Sequence, residues 1–371
     1  MAVVSIAISF LVIILSLVIS SGFRKEIREG ISSLTGDIQL CSPSANLYDS
    51  EVSVNSEPSY MGALLSHKAV RKITPAIYRP GIVQSGEDLQ GVLFKAAPSQ
   101  DSIPLQVSIP RSLAKTLRLS PGDRMRSYFV GERLQVRNFT VKDIYEGLTD
   151  ATGSPVVLAS IEDMRRVNGW DEGRASALEI ALHDRYRSRQ KEKETAVELA
   201  GTAYGLSTDD DDPLLAVAAV DKYYNLFDWL GLIDFNVGII LLLMVLVAGF
   251  NMISGLLILL FRNIATIGTL KSLGMSDRGI AGVFLRVSAR VVLKGMLIGN
   301  AAALLFALVQ HFTHFVHLNP DNYFVSFVPV SVAPAQIIAV DAIAFGAIML
   351  MMLLPTLFIA RVDPADTVRV K

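Results

Sequence analysis

Residues 249–275 read GFNMISGLLILLFRNIATIGTLKSLGM, a hydrophobic run that stops at Phe261 and turns at once into a short basic, amphipathic segment. A hydrocarbon core of ~30 Å takes about 20 mostly apolar helical residues to cross. The run 232–261 that ends at this junction is long enough, and so are 3–21, 291–312 and 337–360. Residues 22–231 hold no such run. They are mixed in character, rich in turn residues and numerous enough to build a core of their own. The pattern predicts one span, a large polar domain, and then three spans close together.

Composition agrees. Of 371 residues, 51% are hydrophobic and only 19% charged, more apolar residue than one soluble core needs. A net charge of −1 argues against a general grip on nucleic acid. The single cysteine, Cys41, excludes an internal disulfide framework and reads as a small buried residue.

Orientation follows from the charges beside the spans. Arg262, Lys271, Arg278, Arg286, Arg290 and Lys294 lie between spans two and three against Asp277 alone. The loop between spans three and four carries only Asp321, and the tail carries Arg361, Arg369 and Lys371 against Asp363 and Asp366. The second connection and the tail are therefore expected in the cytoplasm and the large domain outside. The first span, by contrast, is followed by Arg24, Lys25 and Arg28 with no Lys or Arg before it. That order conflicts with the topology, and the run is too long and lacks the basic start of a signal peptide. A basic cytoplasmic leader ahead of the given sequence is the expectation that reconciles the two.

Within the spans, Ser5, Ser9, Ser16 and Ser20 share an arc of about 60° at 100° per residue, as do Asn236, Asn251 and Ser254. Small and uncharged polar residues in lipid either pack helices closely or line a cavity, and both readings stand for these two faces. Span three begins with Arg286, Arg290 and Lys294, a stripe expected to snorkel toward phosphates. Gly295 and Gly299 follow as G-x-x-x-G, then Ala301–Ala303, a surface for close helix approach. His311, His314 and His317 spread over about 120° of a helix and read as interfacial residues, not metal ligands. Asp341 is expected near the outer interface. With only Asp234 as another carboxylate in the spans, proton-coupled transport has little support.

The polar domain reads as mixed α and β in two subdomains, one interrupting the other. Strands are expected at 37–41, 77–83, 91–96, 125–130, 134–144 and 155–158, and helices at 60–67, 111–119, 161–168 and 185–204. Asp209–Asp212 lacks the looped spacing and Gly of a calcium site and reads as a solvated loop. No G-x-S-x-G, H-E-x-x-H or Cys/His metal spacing occurs, so the chain is read as a non-enzyme without a cofactor.

Six segments, in order, resemble permeases of the lipoprotein-releasing Lol type within the MacB/FtsX-like family of ABC transporter subunits. They are SGFRKEIREGISSLTGDIQL from Ser21, SIPRSLAKTLRLSPGD from Ser108, GFNMISGLLILL, IGTLKSLGM from Ile267, LNPDNYFVSFVPV from Leu318 and PTLFIARVDPADTVR from Pro355. Departures are Pro110 for the usual Gly, Thr266 for a common acid and Phe358 for an Arg. The resemblance implies a membrane α-helical fold with four transmembrane helices and a large α+β extracytoplasmic domain, the MacB-like periplasmic core, between the first and second. The expected division is 1–22 first span, 23–231 periplasmic domain, 232–261 second span, 262–278 cytoplasmic coupling helix, 279–312 third span, 313–336 periplasmic loop, 337–360 fourth span and 361–371 tail.

The resemblance further implies a multi-pass protein of the bacterial inner membrane. Its partners would be a cytoplasmic ABC ATPase subunit, a second permease subunit identical or homologous, membrane lipids, a lipoprotein substrate and a periplasmic lipoprotein carrier. ATP hydrolysis would lie on the partner, since no G-x-x-x-x-G-K-[ST] loop occurs here. The ATPase-coupling residues would be Arg262, Asn263, Thr266, Ile267, Leu270, Lys271, Leu273 and Gly274. A substrate cavity would be lined by Ser5, Ser9, Ser16, Ser20, Asn236, Asn251 and Ser254. MacB-like efflux or FtsX-like signalling is the nearest alternative, and a membrane-anchored periplasmic enzyme the remote one.

Overall fold

A computed structural model describes residues 2–43, 52–99, 103–131, 134–146, 153–209, 211–318, 325 and 327–360. The chain forms two compact units: a helical one from residues 1–26 and 229–371, and an α+β one from residues 27–228.

Four helices of the described residues are long and apolar enough to cross a membrane. They are α1 (Ala2–Thr35), α7 (Tyr224–Arg262), α9 (Asp277–Thr313) and a fourth made of α10 (Pro334–Met351) and α11 (Leu353–Ala360). All run beyond the apolar stretches expected from sequence. At 1.5 Å per residue α7 and α9 are each roughly 55–60 Å long, well over a hydrocarbon core. The fourth breaks at Met352 where one continuous span was expected. The cause is Pro355, whose missing N–H and ring clash fall on the carbonyl four residues back, at Met351.

The helical unit is organised by the approach of α9 to α1. Gly295, Gly299, Ala303 and Ala307 recur every fourth residue on α9, and all are buried. A Cβ on Gly295 would lie 2.7 Å from Cβ of Ile6, and one on Gly299 would lie 2.9 Å from Cβ of Phe10 and 3.0 Å from the backbone N of Leu11. Higher up, Ala303 and Ala307 pack with Ile13, Ile14 and Val18. The small-residue surface expected from G-x-x-x-G thus has a named partner, the first span. At the far end of α1 a Cβ on Gly22 would collide with the carbonyl of Pro329, and the Ser331 amide donates to Val18 O at 3.1 Å. Gln310, fully buried, secures the same loop by donating to Val328 O at 3.0 Å and accepting from Val316 N at 3.1 Å.

The α+β unit is built on one long strand. β1 is Ile38–Cys41, β2 Val54–Asn55, β3 Val70–Ser85, β4 Asp88–Ala96, β5 Gln106–Pro110, β6 Arg124–Phe129, β7 Gln135–Tyr145 and β8 Val156–Ala159. β9 (Arg174–Ala175), β10 (Ala177–Leu182) and β11 (Leu215–Ala218) follow. The main sheet runs β11-β1-β10-β3-β4-β8-β5-β7-β6, and β6 pairs back onto β3, so the last six strands close into a barrel. The first half of β3 pairs with β10 in the open part and the second half with β4 and β6 in the barrel.

Phe94, Phe129 and Phe139 fill the barrel with ring centroids 4.9–6.4 Å apart. Gly81 makes room for them, since a Cβ there would press on two of those rings at 3.1–3.2 Å. α3 (Arg111–Leu117) and α4 (Ile161–Asn168) supply Leu113, Leu117, Met164 and Val167 to the same core. Over the open part lie α2 (Met61–Leu65), α5 (Arg189–Leu206) and α6 (Ala219–Lys222). Strands β2, β5, β9, β10 and β11 were not expected from sequence. Ala177–Leu182, ALEIAL, has helix-favouring residues and becomes a strand because β1 and β3 flank it.

Gly299→Leu is expected to cost roughly 1–3 kcal/mol as overpacking against backbone and to lower the unfolding temperature in detergent. Ala302→Leu, on the exposed side of the same helix, should leave it unchanged.

Candidate functional site

The connection after α7 is a compact turn of helix, α8 (Ile264–Ser272), held at both ends by its own residues. Asn263 closes α7 by donating from Nδ2 to Leu259 O at 2.8 Å. Gly274, at φ +88°, ends α8 in a conformation that favours glycine, and the Met275 amide donates to Leu270 O at 3.0 Å. Ser276 then caps α9, its Oγ accepting from Gly279 N at 3.3 Å. Lys271 pairs with Asp277 at 2.9 Å and is itself 10% exposed.

The eight residues expected to contact an ATPase therefore divide. Ile267 is 2% exposed and, with Leu270, packs into the core that holds Leu260 and Ile280. Asn263 and Lys271 are occupied within the connection. Arg262, Thr266, Leu273 and Gly274 face outward, Leu273 at 79% exposure beside half-exposed Ile264 and Met275. One half of α8 is thus fixed to the bundle, and the other leaves a large, unshielded Leu273 facing outward.

The polar residues of the spans also divide. Asn251 donates to Ser5 Oγ, and Ser20 donates to Asp234 at 2.8 Å, so α1 and α7 are bridged near both ends. Arg24 strengthens the second bridge at 2.5 Å from Asp234. Ser9 is buried at 2% exposure, Ser16 is half-buried, and Ser254 bonds its own helix at Phe250 O. Asn236 is exposed and is not brought to the others. Asp234 was legible only as a boundary carboxylate; its partners lie 214 residues away in sequence. Asp341 accepts from Asn300 Nδ2 at 2.6 Å, a pairing of α9 with α10 that the sequence did not reveal.

His314 stacks on Phe327 at 4.0 Å and His311 lies against Phe312. Among the described residues no group of three or more His, Cys, Asp or Glu is placed to hold a metal. Residues 319–324 and 326 of the expected last loop and the whole of the expected tail, 361–371, lie outside the described residues, as does the side chain of Phe358.

In the α+β unit Asp211 and Asp212 lie in a surface loop, as expected, and pin that loop through bonds of their own. Asp211 accepts from the amides of Ser59 at 3.1 Å and Thr208 at 3.0 Å and from both hydroxyls, and Asp212 accepts from the Asn55 amide and pairs with Arg174 at 2.8 Å. These bonds, the Ser59 hydroxyl first, hold the Asp211 carboxyl well below its ordinary range. The main-chain amides among these partners leave no mark in the residue pattern.

A second cluster joins the chain segments that lead to α1 and α7. Glu192 on α5, 1% exposed, accepts from the Val220 amide at 3.0 Å and pairs with Arg28 at 3.4 Å. Arg28 also lies over the Phe227 ring at 5.1 Å. Asp37 is held by Arg187 at 3.0 Å and by the Leu182 amide at 2.7 Å. Deeper, Lys95 bridges Glu179 at 2.8 Å and Ser33 O at 2.8 Å, while Tyr78 bonds Glu179 and Leu34 O. Burial, then the Glu179 charge, pushes the Tyr78 phenol well up, and burial likewise pushes the Cys41 thiol up.

Burial raises Glu192 to about 7 from the usual 4.5, against the lowering effects of Val220 N–H and Arg28. A carboxyl raised in the folded state stabilises the fold below its ordinary value, and that contribution is lost as pH rises through the folded value. Between about pH 4.5 and 7 the unit is expected to lose about 3 kcal/mol through this group. Thermal unfolding of the full chain should fall over that window, and Glu192→Gln should flatten the profile; an unchanged slope would contradict the assignment.

Comparison with known proteins agrees with these features. Residues 238–364 match the FtsX-like permease C-terminal family. The lipoprotein-releasing system transmembrane protein LolC of Xylella fastidiosa strain 9a5c is 24% identical over 99% of this chain and 92% of its own length. LolE of Haemophilus influenzae is 22% identical over 98% and 92%. Among solved structures, the periplasmic region of MacB from Actinobacillus actinomycetemcomitans aligns with 52% of this chain and 92% of its own at 12% identity, with a TM-score of 0.33, too low to equate the folds. Residues 238–364 thus resemble the FtsX-like permease C-terminal family, within a sequence that is similar to the transmembrane proteins of lipoprotein-releasing systems along nearly its whole length.

Proposed function

We propose that this chain is a permease subunit of an ABC-type system that releases acylated lipoproteins from the outer leaflet of a bacterial inner membrane. The observation that carries the reading is the near-full-length similarity to LolC and LolE, coupled to a lever-like connection after α7. The α+β unit is periplasmic on this reading, α8 is cytoplasmic, and a separate ATPase docks on Arg262, Thr266, Leu273 and Gly274. A second permease subunit completes the pathway, and a periplasmic carrier takes the product.

Extraction is the costly step, since each buried methylene anchors an acyl chain by ~0.8 kcal/mol. ATP-driven movement of α8 acts on α7 and α9, which flank it directly in sequence. The line along which α1 meets α7 is the proposed entry for acyl chains. It is pinned by Ser5–Asn251 at one end and Ser20–Asp234 at the other, with Ser16 between them. The Ser5–Asn251 bond joins uncharged side chains and in lipid is worth about 1 kcal/mol or less, so this pin opens without great cost, whereas the charged Ser20–Asp234–Arg24 group holds the other end.

Depleting the chain in its host should leave outer-membrane lipoproteins in the inner membrane; correct sorting would end the lipoprotein reading in favour of efflux or signalling. Photo-crosslinkers at Ser16 and Asn236 should capture a stalled lipoprotein, whereas one at Ile298 on the exposed side of α9 should not. Leu273→Asp should abolish co-purification of the ATPase without lowering stability. Ile267→Ala should instead destabilise the bundle by about 2–5 kcal/mol, as large-to-small core changes do.

A further inference from the structure

The cytoplasmic half of α9 carries a feature that the docking of α8 does not use. Arg286, Arg290 and Lys294 are spaced by four, so at 100° per residue they fall within about 80° of one face. All three are exposed, and none has a hydrogen bond or ion pair with the described residues. The described carboxylates of the helical unit are engaged elsewhere: Asp277 by Lys271, Asp234 by Arg24 and Asp341 by Asn300. Glu26 lies twenty residues along α1 from Ile6, roughly 30 Å away along that helix.

The same face holds Val283, Val287, Leu293 and Leu297, exposed by 46, 42, 40 and 65%. Opposite them sit Ser288, Val292, Gly295 and Gly299, all buried. The cations are thus interleaved with bare aliphatic side chains and point away from the packed core. A protein-docking patch on a cytoplasmic lever would not need that mixture, whereas a lipid with an anionic head and an apolar tail matches both halves of it.

Depth gives the second argument. Gly295 abuts Val3 and Ile6, the first turn of the first apolar run, so Lys294 lies where that run begins. Above Lys294 no formally charged residue occurs on α9. Arg286 to Lys294 covers roughly 12 Å of helix, which spans a headgroup layer of about 5–8 Å with the reach of long side chains added.

We propose that Arg286, Arg290 and Lys294 form a binding site for anionic phospholipid headgroups on α9, with Val287, Leu293 and Leu297 receiving the upper acyl chains. The site rests on the permease reading only in taking residues 291–312 as crossing a bilayer. It makes the lipid a structural ligand of the helix that carries the Gly295–Gly299 contact.

The test uses the full chain in nanodiscs of phosphatidylcholine alone or doped with phosphatidylglycerol. Thermal unfolding and retained lipid, counted by native mass spectrometry, are the readouts. Wild type should be stabilised by several degrees in the doped discs and should retain phosphatidylglycerol. R286Q/R290Q/K294Q should lose that stabilisation and bind the lipid on the order of a hundredfold more weakly, about fivefold per cation. R286K/R290K/K294R, which keeps the charge, should behave as wild type and guards against a folding defect. Equal lipid retention by wild type and the glutamine variant would overturn the proposal. So would glutamine-variant chain that keeps its lipid but no longer co-purifies with an ATPase, because the stripe would then be a protein dock. Neither readout depends on lipoprotein release, so failure of the transport reading would be seen separately, in the depletion experiment.

Discussion

The backbone of α9 can lie against that of α1 because Gly295 and Gly299 have no side chains. In lipid there is no hydrophobic drive between helices, so association depends on close van der Waals fit and on bonds between polar groups. The helical unit uses both. Gly, Gly, Ala, Ala at four-residue intervals provide the fit to α1, and single polar pairs set the positions of α7 and α10. Without the glycine contact, Ile6 and Phe10 would lose their seat and the core they share with Met252, Ile267 and Ile280 would be incomplete. Ile267 and Leu270 of α8 rest on that same core, so the seating of α8 depends on the glycine contact.

The α+β unit meets a different requirement. Its strands must satisfy every backbone group, and β3 does this for two subdomains at once by being sixteen residues long. One half belongs to an antiparallel sheet with β1, β10 and β11, and the other to a closed barrel with a Phe core. Gly81 marks where the barrel rings press on the strand. Two buried pairs, Glu192 with Arg28 and Glu179 with Lys95, lie within the α+β unit. Buried pairs add little net stability against apolar replacements, yet breaking one is costly.

Much of this was legible in the residues. Apolar run length gave four long helices, and Gly295-x-x-x-Gly299 announced a close contact. The segment IGTLKSLGM marked the short helix α8 by its position after a span. What went unread had a common cause. β10 looks helical in isolation, the bonds of Asp211 and Asp212 to Ser59 and Asn55 leave no trace in the run of acids, and Asp234 looks like a stray boundary charge, because each of these contacts reaches 100 or more residues away in sequence. The residues of α8 were named from sequence, but which of them face inward depends on how α7 and α9 close around them.

By itself, then, the sequence determined four long apolar runs, the large polar insertion between the first two and the small-residue face of α9. These follow from composition and periodicity, which act along the chain. Tertiary structure decided that α1 is the partner of that face, that β3 serves both a sheet and a barrel, and that Ile267 is buried and Leu270 half-buried while Leu273 is bare. Those outcomes depend on which side chains meet across space, and a pattern of residue types records the need for a partner without recording its identity.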